Sequence, residues 1–117
     1  MEFDNLERCA VYVAARASLD TVHRAAQRWP SQFANQARRA AVDTILSTAE
    51  ALGHDPGSPQ RRRCLRGAMT TAVELATVCD VVQALGIADD VAESLRLAGR
   101  TVSLLGLMFH ASVCGEP

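Results

Sequence analysis

The residues best equipped for chemistry in this 117-residue chain are arginines. Arg61-Arg62-Arg63-Cys64-Leu65-Arg66 crowds four cations into six positions. The Ser58-Pro59 pair just before them is a helix start, so the cations fall on the first turns of a helix, where the dipole already places about half a positive charge. Arg62, Arg63 and Arg66 share a face by i,i+3 and i,i+4 spacing while Leu65 points inward. Like charges so placed cost roughly a few tenths of a kcal/mol per pair unless an anion answers them. Phosphate is the natural anion at a helix N-terminus, and Arg binds it bidentately. Arg61, Arg62, Arg63 and Arg66 are therefore the candidate nucleic-acid-binding residues, and Arg38 is free to join them. A solvated face, or ion pairs to Asp89, Asp90 and Glu93 of a neighbouring copy, would satisfy the same cluster.

Other charged residues suggest structure rather than chemistry. Arg39, Asp43 and Glu50 lie on one side of a second helical segment, since eleven residues make about three turns. Glu74 is the matching acid on the third segment, so these four form a candidate interhelical or intersubunit charge network. No Ser/His/Asp or Cys/His grouping shares a helix face, with His54 in a loop and His110 in an apolar tail. The Glu50/Glu74 pair lacks the Glu-x-x-His motifs that ferritin-like metal centres need. Cys9, Cys64, Cys79 and Cys114 contain no C-x-x-C and read as reduced thiols acting as small hydrophobes. The expectation is no enzyme, no cofactor and no metal.

The elements that position these residues are helices. Hydrophobic residues make up 49% of the chain but aromatics only 4%, so Ala, Leu and Val must form the core, which favours closely packed helices. Punctuation divides residues 1–117, one domain, into helices over about 4–29, 32–52, 59–86 and 90–112. Asp4 or Asn5 caps the first helix and Pro30 ends it. Ser31 opens the second and Gly53 closes it. The third has a seam of Leu65, Ala68, Ala72, Leu75, Cys79 and Val82, closed by a Schellman turn at Gly86-Ile87. Asp90 to Glu93 is a weak capping box for the fourth. Short connections make the fold an all-α, up-down-up-down antiparallel four-helix bundle.

Charge and hydropathy narrow the functional classes. A net charge of −1 and a pI near 6.3 do not by themselves indicate nucleic acid. No apolar run reaches the roughly 20 residues of a membrane span, and the N-terminus lacks a basic secretory start, so the expected location is cytoplasmic. Residues 101–115 carry no Asp, Glu, Lys or Arg, and Leu104, Leu107, Met108 and Phe109 crowd apolar surface around the fourth helix. That surface needs extra cover, which points to burial against other copies, with membrane contact or fraying of the C-terminus as the alternatives. These four residues are the candidate oligomer interface.

Helix two also carries a likeness. Gln36-Ala37-Arg38-Arg39-Ala40-Ala41-Val42, followed by Ala49-Glu50, resembles the Q-L-R-R-A-A-V-S-I-P-A-N-I-A-E-G signature of bacterial four-helix-bundle proteins. That family includes the proteins encoded in rRNA intervening sequences and the accessory variability determinants of diversity-generating retroelements. Leu65, Ala68, Glu74-Leu75 and Leu85-Gly86 continue the likeness in helix three, and Trp29-Pro30 stands where the family has Phe-Pro. The chain departs from the pattern at Asp43-Thr44-Ile45-Leu46-Ser47-Thr48, which lacks the family's Pro and Asn, and at Ala51 and Thr70, where glycines are usual. The link between helices one and two is also about a turn shorter.

The resemblance implies a ring-like homo-oligomer, a pentamer, that works by binding, with nucleic acid and a reverse transcriptase as partners. The resulting expectation is a non-enzymatic accessory protein that binds RNA or DNA through its arginines. The alternative is a scaffold that recruits a protein and never touches nucleic acid.

Overall fold

The computed structural model describes Leu6 and residues 9–114. Its helices are α1 (Ala10–Ala25), extended by a 3-10 turn over Ala26–Arg28, then α2 (Ser31–Leu52), α3 (Pro59–Ala84) and α4 (Ala92–Cys114). The described residues contain no strand. The helices surround a shared core in chain order: α1 packs on α2, α2 on α3, α3 on α4, and α4 back on α1. The long axis is 45 Å, close to the roughly 39 Å that 26 helical residues span at 1.5 Å each.

The core is built from small side chains. Ala34, Ala37, Ala40 and Ala41 of α2 meet Leu75, Val78, Cys79 and Val82 of α3, with Val22 and Trp29 closing that half from the α1 side. A second cluster joins Val11, Ala51, Leu65, Ala68, Ala72 and Leu105. All six residues of the α3 seam are buried. The spacing of Phe33, Ala37, Ala41, Ile45, Ala49 and Leu52 would make one core face of α2, but the face that is buried differs. Phe33, Ile45 and Ala49 are only half-buried, while Thr44 and Thr48 are fully enclosed.

Hydrogen bonding makes those threonines tolerable inside. Thr44 Oγ1 donates to the Ala40 carbonyl at 2.7 Å, and Thr48 Oγ1 to that of Thr44 at 2.7 Å. Each hydroxyl is satisfied by the preceding turn, so burial leaves no orphan donor. Thr44 and Thr71 hydroxyls also lie 2.8 Å apart, bonding α2 to α3 through the alanine-rich interface.

Some helix ends match the expected punctuation. Ser58 Oγ accepts from the Arg61 backbone N–H at 3.1 Å, with Pro59 in the first turn. At the other end of α3, Gly86 adopts φ +65°, and the Ile87 N–H reaches the Val82 carbonyl at 3.1 Å. With Gly86 N–H bonded to Gln83, this is the Schellman turn.

Other ends are corrected. The first helix does not run unbroken from residue 4, because Cys9 is extended at φ −87° and ψ 118° and α1 starts at Ala10. Asp4 and Asn5 lie outside the described residues. Pro30, not Ser31, holds the cap position of α2, with its carbonyl accepting from Phe33 and Ala34. Gly53 closes α2 in the right-handed region at φ −80°. Helix α4 opens at Ala92, with Val91 accepting from Leu95, and Glu93 turns to Arg96 instead of completing a capping box.

Candidate functional site

The start of α3 holds the arginine cluster, and the fold divides its members. The link over 53–58 returns the chain from α2 to α3, leaving loop carbonyls to be satisfied. Arg61 Nη1 donates to the His54 carbonyl at 3.1 Å, and Arg62 Nη1 to that of Gly57 at 2.6 Å. Both side chains are thereby folded back over the loop, and both residues are half-buried. Arg63 and Arg66 remain exposed. Arg66 lies over the Phe109 ring of α4, its Cζ 5.5 Å from the centroid.

Arg38 stands apart from this group. It lies twelve residues before Glu50, about 18 Å along α2. Its Nη2 donates to the His23 carbonyl at 3.3 Å, tying α2 to α1, and its Nε is buried without a hydrogen-bond partner. Arg39, Asp43, Glu50 and Glu74 are all exposed, and none forms an ion pair among the described residues. Asp20–Arg24 at 3.2 Å and Glu93–Arg96 at 2.6 Å do. The Arg96 hydrogen bonds hold the Glu93 carboxyl below its ordinary value. Both pairs are solvent-facing and contribute little to stability.

The apolar surface of α4 is partly covered by its own chain. Leu104, Met108 and Phe109 are half-buried against the Val11, Leu65 and Leu105 cluster, whereas Leu107 is 68% exposed. A longer apolar feature lies between α3 and α4. Two grooves of about 460 and 370 Å³ share Val73 and together run along both helices. Met69, Val73 and Ala76 line the trough from α3, with Leu95, Gly99 and Val102 opposite. Arg66 stands near one end and Asp80 near the other. Val73 itself is 49% exposed. No helix among the described residues is long and apolar enough to cross a membrane.

One grouping escaped the sequence reading. Glu50 on the last turn of α2, His54 just past its end and Cys64 in the second turn of α3 bring their ligand atoms within 4.8 Å of one another. Cys64 is half-buried, and its thiol is pushed above the ordinary range by burial, then by the Glu50 charge and hydrogen bond, with Arg63 acting the other way. Sequence spacing hid the trio because its members come from three segments. The visible signal was the i,i+4 relation of Glu50 to His54 across a helix end, with Cys64 only ten residues on. Cys9, Cys64 and Cys79 are free thiols. Compared with known proteins, the chain matches no family model and no curated protein.

Proposed function

We propose that this chain is a non-enzymatic, antiparallel up-down-up-down bundle that assembles with copies of itself and acts as a cytoplasmic accessory protein. The observation that carries the reading is the pair of apolar grooves between α3 and α4 that meet at Val73, which is itself open to solvent. Such a pair, together with exposed Leu107, is the kind of surface that marks an interaction site. Assembly into a ring would repeat Arg63 and Arg66 once per subunit, and repetition multiplies a weak phosphate site. Nucleic acid, as RNA or DNA, is the partner those exposed arginines suit, and a reverse transcriptase is the protein partner suggested by the helix-two resemblance.

A scaffold without nucleic-acid binding is the second reading. It is favoured by Arg61 and Arg62, whose side chains are engaged by loop carbonyls, and by the distance of Arg38 from the cluster. Two measurements separate these readings. Sedimentation should give a mass of several 12.6 kDa chains, five in the ring that the resemblance implies. Val73→Glu should reduce this to one folded chain. A folded single chain at tens of micromolar would overturn assembly. Binding to single-stranded RNA or duplex DNA should weaken linearly on a log–log salt plot. Arg63→Glu with Arg66→Glu should abolish it, and an assembled protein that binds neither nucleic acid is the scaffold.

A further inference from the structure

We infer that Glu50, His54 and Cys64 form a binding site for a zinc-like divalent cation, clasping the end of α2 to the start of α3. The inference is independent of assembly and of nucleic acid. Three donor types converge here, a carboxylate, an imidazole and a thiol, with all ligand atoms within 4.8 Å of one another. A tetrahedral zinc ion holds such donors about 2.0–2.3 Å from itself, so they sit roughly 3.5 Å apart. Closing the remaining gap of about 1 Å falls within side-chain rotation, since Glu50 is exposed and His54 only half-buried.

The donor set also selects the ion. Thiolate and imidazole favour zinc and its borderline-soft neighbours over calcium and magnesium, which take oxygen ligands. Three protein ligands leave a fourth position for water. On binding, the Cys64 thiol releases its proton to solvent, and its sulfur takes the metal bond. Thiolate and carboxylate then supply two negative charges that neutralise the dication, and a ring nitrogen of His54 supplies the third ligand.

The surroundings prepare the site. The C-terminal end of α2 carries no basic residue in its last turn, so its carbonyl end favours a cation. The Arg61 bond to the His54 carbonyl fixes the backbone that presents the imidazole. Arg63 beside Cys64 opposes the dication, and Glu50 offsets it.

Titration of the full chain with Co2+ tests this. One equivalent should produce the charge-transfer absorption of a cobalt–thiolate bond and the visible bands of tetrahedral cobalt, both displaced by Zn2+. Cys64→Ser should remove the charge-transfer band, while Cys9→Ser and Cys79→Ala retain it. Glu50→Gln and His54→Ala should each weaken Zn2+ binding by at least the roughly 10–100-fold that loss of an outer-shell partner costs. Zn2+ should raise the melting temperature of the parent chain and not of Cys64→Ser, with helical circular dichroism confirming that each variant folds. Absence of saturable binding, or a thiolate band that survives Cys64→Ser, would overturn the site.

Discussion

The guanidinium of Arg66, on the second turn of α3, lies over the ring of Phe109 near the end of α4, with 5.5 Å between Cζ and the ring centroid. The contact joins the helix start that carries the arginines to the helix end that carries the apolar surplus. It also places one residue in two candidate roles, since a cation held on an aromatic face still presents its edge to an anion. An exposed cation–π pair is worth about 0.5–1 kcal/mol. A double-mutant cycle of Arg66→Met with Phe109→Leu should therefore show a coupling energy of that size in urea denaturation. Methionine retains an apolar stem, so simple loss of packing cannot mimic the coupling. Strictly additive effects would show that the two side chains do not interact.

The Thr44–Thr71 hydroxyl pair is a polar contact within the α2–α3 interface, and its two ends should respond unequally to substitution. Thr44 is 2% exposed and also donates to Ala40 at 2.7 Å, whereas Thr71 is half-buried and has Gly67 and Ala68 carbonyls within reach. Removing one partner of a buried bond costs about 1–3 kcal/mol when it leaves an unsatisfied group. Thr71→Val should cost less than Thr44→Ala, which opens a methyl-and-hydroxyl void as well. Equal losses for the two variants in thermal or chemical unfolding would contradict this ordering.

These threonines also show why the sequence revealed some faces and concealed others. The α3 seam was legible because Leu65, Leu75 and Val82 mark it with large apolar side chains at alternating steps. The α2 face was not, because alanine lies on both sides of that helix and the buried positions between include Thr44 and Thr48. A threonine bonded to its own preceding turn behaves as an apolar residue, and a hydropathy pattern cannot see that bond. The arginine cluster was legible as a concentration of charge, but its division was not. The carbonyls of His54 and Gly57 come within reach of Arg61 and Arg62 only once the 53–58 loop is folded. The Glu50, His54 and Cys64 grouping was hidden for the same reason, since it depends on α2 and α3 lying side by side.

Gly86 offers a local test of the turn that ends α3. Its φ of +65° is left-handed, and a Cβ built there meets nothing within 4 Å. Gly86→Ala therefore adds no clash with other residues, only the backbone penalty of a left-handed residue, about 1–2 kcal/mol. Gly86→Asn should recover part of that loss, because asparagine tolerates the conformation better. Gly53→Ala provides the contrast. Gly53 is right-handed at φ −80°, so alanine there should be close to neutral. If Gly86→Ala unfolds at the same urea concentration as the parent, the left-handed closure is not required.

Cys79 should make stability fall in alkali. Its side chain is fully enclosed in the core, and burial pushes the thiol up to about 11 from an ordinary 9.0. Below about pH 9 the thiol is protonated in both folded and unfolded chains, so it contributes no slope. Between about 9 and 11 the unfolded chain ionises while the folded chain cannot, and the unfolded state gains. Two pH units correspond to a loss of roughly 3 kcal/mol. Cys79→Ala should be less stable near neutrality because it leaves a small cavity, by about 1 kcal/mol. Its unfolding free energy should nevertheless decline less steeply through the alkaline window, so that the difference from the parent narrows and then reverses before pH 11. The remaining ionisable groups contribute equally to both proteins, which makes the difference between the two curves the relevant measurement. Parallel curves from pH 8 to 11 would mean that the Cys79 thiol ionises in the folded chain as readily as it does in the unfolded one.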